Sequence, residues 1–287
     1  MNAPERARPP VLTTLTGLAI LSAWLLTSYV AGSTHPPAKA TLCLGYVPDW
    51  LIGKVARPDA YSGIPLWATP LTALFVHDGV LQLLVNVTWL WLFGRRLELS
   101  LGAARLALLC LGVAYGSALF QSAAAGGADP VIGASGLVAG VLGAFIVLHP
   151  KAEISVFVLA SGSLRMMAIP AAFVLLAWWV ADLLIAIDAY ARGFVDGIAQ
   201  PAHLSGFLLG MALATILRPA SVPLFDAGKP WPKLNPAIEL PRAPGPRHVR
   251  LEQIFGVATK IAVFAVVSIF VGLIAVGILL QVTHLKG

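Results

Sequence analysis

Four residues of this 287-residue chain have the types and spacing needed for nucleophilic attack on a carbonyl: Ser135, His203, Gln82 and Asn86. Ser135 stands in Gly133-Ala134-Ser135-Gly136, where the Gly-rich stretch 124–130 gives way to the small and apolar run 137–148. That change from loop to helix puts Ser135 at or near a first helical turn, among unpaired backbone N–H groups and the positive end of the dipole. Such donors suit an oxyanion, and a serine becomes a nucleophile if a base can reach it. Read alone, Ser135 is more readily a serine N-cap on a membrane helix. His203 stands in Ala202-His203-Leu204-Ser205-Gly206 and is the best candidate base; by itself it could be an interfacial histidine bonded to a loop carbonyl. Gln82 and Asn86 are spaced i, i+4, one above the other on a helix, so their carboxamide N–H groups could donate to a developing oxyanion. Their plainer role is amide glue between helices.

Two sets of glycines would bring these residues together. His203, Gly206 and Gly210 fall at i, i+3 and i+7 on one face, and Gly136, Gly140 and Gly143 make a small face just below Ser135. Small faces let helix backbones approach closely. If the two faces pack in parallel, Ser135 and His203 arrive at the same depth.

The elements that must carry those faces are membrane helices. The chain is 58% apolar and only 11% charged, with a mean hydropathy of +0.85, which excludes an ordinary soluble domain. The sequence predicts an all-α polytopic membrane protein. A basic tail (1–10) precedes a first span over 11–31, read as a retained helix rather than a signal peptide. A Pro-rich loop to about Leu66 follows, with room for an interfacial helix. Further spans are predicted at 71–93 (closed by Gly94 to Glu98), 101–123, 135–148, 167–187 and 201–217, so that 11–217 forms a six-helix core. Ile154 to Leu159, between the fourth and fifth spans, alternates enough to be partly extended, and 188–200 reads as a polar loop. A Pro-rich linker (218–256) then leads to a seventh span over 257–282.

Fourteen of the nineteen lysines and arginines fall on the side of the N-terminus in this topology and five on the other. The positive-inside bias therefore places the N-terminus in the cytoplasm, and the net charge of +6 records orientation rather than a nucleic-acid partner. Cys43 and Cys110, in a loop and an apolar run, form no metal or redox motif and are not expected to pair. His77, at the head of the second span, needs no special role in a wet vestibule. Asp182 is expected to mark where the fifth span emerges, Trp178 and Trp179 an interfacial belt, and Arg95, Arg96 and Glu98 a salt-bridged turn.

With these pieces in order, the sequence resembles the rhomboid family of intramembrane serine proteases. The resemblance rests on Gly133-Ala134-Ser135-Gly136, on Ala202-His203-x-x-Gly206-x-x-x-Gly210, and on Phe75-Val76-His77-Asp78-Gly79 continuing to Asn86 and Phe93-Gly94-x-x-x-Glu98. It spans roughly Leu66 to Leu217; Gln82 replaces a frequent family histidine, and Ala68-Thr69 stand where a Trp-Arg pair is common. The resemblance implies a Ser135–His203 dyad without aspartate, oxyanion donors at the Ser135 N–H, Asn86 and Gln82, and no metal or organic cofactor. It also implies a "six plus one" helix arrangement, with the fifth span and the following loop as a movable gate. The expected partners are the lipid bilayer and other proteins' transmembrane segments, cleaved near their outer ends in the bacterial inner membrane. The alternative is a non-catalytic relative that binds or guides such segments. Loss of the serine or the histidine would mark it, and both are present. A small-solute transporter finds no support, since neither an inverted repeat nor a pair of broken helices is visible.

Overall fold

The computed structural model describes residues 10–160, 163–192 and 199–225. The basic tail up to residue 9, most of the linker 218–256 and the seventh span 257–282 lie outside the described residues. The described helices are α1 (Val11–Ala31), α2 (Ala38–Leu44), α3 (Pro48–Leu51), α4 (Thr69–Thr72), α5 (Val80–Leu101), α6 (Ala103–Ala124), α7 (Ser135–Leu148), α8 (Ala171–Ala191) and α9 (Gln200–Leu217). Strands β1 (Glu153–Ala160) and β2 (Ser163–Pro170) join them. The chain divides into two compact units, one of residues 1–150 and 175–226, the other containing 151–174.

Among the described residues four helices, α1, α6, α8 and α9, are long and apolar enough to cross a membrane. A fifth span counts if Leu66–Phe75 and Val80–Leu101, bent by 94° to one another, are taken together. The protein is thus a mostly helical, multi-pass membrane protein.

In the larger unit α7 lies at the centre. It is apolar all round, and every residue from Leu137 to Leu148 is buried, as such a helix must be. It has the 14 residues expected of the fourth span, fewer than a full crossing needs. At 1.5 Å per residue it measures about 21 Å, against about 30 Å of hydrocarbon.

The second span also differs from expectation. The helix begins at Val80, not Leu71, because Gly79 takes φ +93° and breaks the chain direction. It does not close at Gly94 but continues to Leu101. Gly94 instead allows α1 to come close: a Cβ there would sit 2.9 Å from Thr13 Cγ2. Glu98 has no part in a closing turn. Its carboxylate accepts from Leu12 N–H (2.8 Å), Thr13 N–H (2.7 Å) and Thr13 Oγ1 (2.7 Å), capping the orphan donors of α1.

In the smaller unit the connector is a two-stranded antiparallel hairpin, with Glu153 opposite Pro170 and Ala160 opposite Ser163. The stretch 167–170, expected at the start of the fifth span, belongs to β2. Pro170 explains the change: it cannot donate within a helix and holds its predecessor extended, so α8 begins just after it.

Candidate active site

Ser135 is the first residue of α7, and the loop before it is held at three points. Tyr46 and Val131 exchange backbone hydrogen bonds at 3.2 and 2.8 Å, the Gly133 N–H donates to the Ala73 carbonyl at 2.9 Å, and the Ala134 N–H points at His77 Nε2 at 3.4 Å. Gly133 has φ +102°, a conformation glycine takes without strain. It also lets Gln82 lie close, with Nε2 3.0 Å from where a Cβ would stand.

His203 sits in the first turn of α9, whose free N-terminus is bound by a side chain of α6. Gln121 Oε1 accepts the Ala202 N–H at 3.0 Å. The imidazole is buried, and its Nε2 lies 2.8 Å from Ser135 Oγ. A serine hydroxyl has one proton. Among the described residues Nε2 is the one acceptor within reach of that of Ser135, and it can take the proton when it is the unprotonated ring nitrogen.

The two residues meet because the backbones of α7 and α9 touch. A Cβ on Gly206 would collide with the Gly136 carbonyl, one on Gly210 with the Gly140 carbonyl, and one on Gly143 with the Phe207 carbonyl. The pairs Gly136–Gly206 and Gly140–Gly210 advance together along both helices, so α7 and α9 run parallel with Ser135 and His203 at matching ends. Gly140 in addition faces Val113 of α6, where a side chain would find no room.

The amides of α5 do not act as a matched pair. Gln82 Oε1 accepts the Asp78 N–H at 2.7 Å, fixing the amide at the head of α5 and leaving Nε2 toward Gly133. Asn86 is buried one turn further along, and its Nδ2 has no hydrogen-bond partner among the described residues. Behind Ser135 a cavity of about 20 Å³ is lined by Ser117, Ala202, Gly133 and Tyr46 among others, room for about one water.

Several residues have surroundings that the sequence did not suggest. His77 is not in a wet vestibule: it is 1% exposed, in the loop ahead of α5. Desolvation lowers its pKa to about 4, with a backbone interaction at Phe75 opposing, so the ring is neutral and its Nε2 can accept from Ala134. Asp182 has a partner on another helix. Its carboxylate oxygens both lie 3.4 Å from His203 Nδ1, on the side away from Ser135. The rings of Trp178 and Trp179 lie 6.3 Å from that of His203 and 5.7 Å from that of Phe207, respectively. Gln121 was not singled out in the sequence, although a polar side chain inside the apolar run 103–124 is a signal for attention.

A helical membrane protein with a buried serine–histidine contact at the end of a short central helix defines the class. A rhomboid domain matches residues 66–220, more than half the chain, and the protein belongs to the rhomboid family. A comparison with curated proteins gave no match.

Proposed function

We propose that this protein is a serine endopeptidase that cleaves the transmembrane segments of other membrane proteins. The observation that carries the reading is the 2.8 Å contact between Ser135 Oγ and His203 Nε2, with no competing acceptor for the hydroxyl proton among the described residues. As Ser135 Oγ bonds to the scissile carbonyl carbon, its proton passes to Nε2 and the carbonyl oxygen becomes an oxyanion. The Ser135 N–H at the head of α7, the unpaired Asn86 Nδ2 and Gln82 Nε2 are the donors suited to receive it. Collapse of the tetrahedral species breaks the C–N bond, and His203 returns the proton to the leaving amine. Water then repeats the sequence on the acyl-enzyme.

The length of α7 supports a substrate within the bilayer. A helix shorter than the hydrocarbon is thick holds Ser135 below the membrane surface when its other end reaches the opposite side. The distribution of lysine and arginine supports an N-terminus in the cytoplasm, so that the Ser135 end opens outward, with the bacterial inner membrane as the setting. Six core helices over 11–217 and a seventh over 257–282 complete this reading.

A fluorophosphonate probe tests it. Wild-type protein in detergent or proteoliposomes should be labelled covalently, and Ser135→Ala should not. Failure of the wild type to label in any lipid would favour a non-catalytic binder of transmembrane segments. Comparison of membranes from cells carrying wild-type or Ser135→Ala protein should then reveal substrates as released ectodomains.

A further inference from the structure

We infer that Asp182 is a positioning residue for His203, making a serine–histidine–aspartate relay across three helices. The inference rests on the proposed role of Ser135 and His203 and goes beyond it, since that role requires no carboxylate. Ser135 lies on α7, His203 on α9 and Asp182 on α8, and the imidazole stands between the other two. Both Asp182 oxygens are 3.4 Å from Nδ1, at the long end of hydrogen-bond range, as is common in resting sites that tighten when occupied.

The proton inventory gives the contact its meaning. If Nε2 is to take the Ser135 proton, a neutral His203 must carry its own proton on Nδ1. An Nδ1–H buried in an apolar wall needs an acceptor, and Asp182 is the acceptor at hand. Its side chain is 13% exposed, that of His203 11%, so water does not readily substitute. Oδ2 has no other hydrogen-bond partner among the described residues, and no lysine or arginine is paired with it there. A carboxylate kept so far from water and from cations finds its compensation in the imidazole.

Trp178, one turn before Asp182 on α8, fixes the other dimension. Its ring lies 6.3 Å from the imidazole at 38° and 6.0 Å from Trp89, forming a wall against the ring while Asp182 holds its edge. During attack the Ser135 proton moves to Nε2, the Nδ1 proton stays in place, and the resulting imidazolium faces the carboxylate. The pair stays on His203 until the leaving amine takes the Nε2 proton. Asp182 itself exchanges no proton and touches no reacting atom.

The test uses full-length protein in detergent with a fluorophosphonate probe and, in parallel, ¹⁵N-histidine NMR, the His203 signals being those lost in His203→Ala. The wild type should show Nδ1 protonated and Nε2 bare. Asp182→Asn, nearly the same shape, can donate to Nδ1 and should move the proton toward Nε2. Its maximal labelling rate should fall at least about tenfold with apparent probe affinity unchanged; full tautomer reversal costs up to about 10⁴-fold in a related relay. Asp182→Glu should recover part of the rate and the wild-type tautomer. Unchanged tautomer and rate in Asp182→Asn overturn the inference, as does a rate loss that only tracks a lower melting temperature while the tautomer stays put. If the wild type labels no better than Ser135→Ala, the proposed protease reading falls, and the tautomer shift alone decides for or against Asp182.

Discussion

Two serine–histidine contacts flank α7, one at each end, and they differ little in length. Ser135 Oγ lies 2.8 Å from His203 Nε2 at the first residue of the helix; Ser100 Oγ lies 2.9 Å from His149 Nε2 just past its last. The surroundings separate them. Ser100, near the end of α5, donates its one proton to the Arg96 carbonyl four residues back at 3.0 Å. The Arg96 carbonyl thus competes with His149 for the hydroxyl proton, and with the proton on that carbonyl the imidazole is not a base toward the hydroxyl. Ser135 has no acceptor competing with the ring among the described residues, stands at a helix N-terminus, and has the amides of Gln82 and Asn86 on the neighbouring helix. A short serine–histidine distance is therefore no mark of a nucleophile. The direction of the proton and the charge that the surroundings accept decide it.

The largest effect should come from breaking the two contacts separately. Ser135→Ala and His203→Ala should abolish fluorophosphonate labelling, whereas Ser100→Ala should label like the wild type. Equal loss in Ser135→Ala and Ser100→Ala would mean that the contrast drawn above is wrong. Next come the donors that only one end possesses. Asn86→Ala should lower turnover of a model transmembrane substrate about a hundredfold to a thousandfold with little change in melting temperature. Gln82→Ala should cost less, because the Ser135 N–H and Asn86 remain. A melting point that drops sharply in Asn86→Ala, with turnover per folded molecule unchanged, would reduce Asn86 to amide glue.

A smaller effect probes how the Ser135 end is assembled. Gly210→Ala drives a methyl group into the Gly140 carbonyl and should destabilise the protein by about 1–3 kcal/mol, read from thermal unfolding in detergent. Gly116→Ala should cost less: its new methyl meets only the flexible tip of Leu209. The reverse order would show that the α7–α9 seam yields more easily than backbone contact allows. The smallest effect is in pH. The folded state holds His77 neutral down to about pH 4, while an unfolded chain protonates it near 6.5. Between those values the unfolded state binds more protons, so stability should fall as pH drops from about 6.5 toward 4. His77→Gln, which keeps an acceptor for Ala134, should flatten that part of the melting-temperature profile.

Much of the Ser135 end was legible before any fold was known. A serine at a loop-to-helix change, and glycines spaced to line one face on each of two helices, follow from local composition and the period of the helix. Partners drawn from other helices were not legible. Asp182 comes 21 residues before His203, on a different helix, and an acidic residue near a span's end has a simpler local explanation. Glu98 looked like part of a closing turn for the same reason, yet its partners are 85 and 86 positions away in α1. His77 looked solvated because its neighbours Asp78 and Gly79 are polar or small. Its burial depends on the loop around Ala134 folding over it.

Composition and hydrophobic run length by themselves determined that this chain lives in a membrane as a set of helices, because a backbone in hydrocarbon must satisfy its own hydrogen bonds. Motif spacing likewise determined that Ser135 and His203 head two helices with faces small enough to touch. Only the tertiary structure decided that Asn86 is buried with no partner for its Nδ2 among the described residues, and that a carboxylate stands behind the imidazole. Those are relations between helices distant in the chain. They are fixed by which surfaces exclude one another in three dimensions, and no local period encodes that.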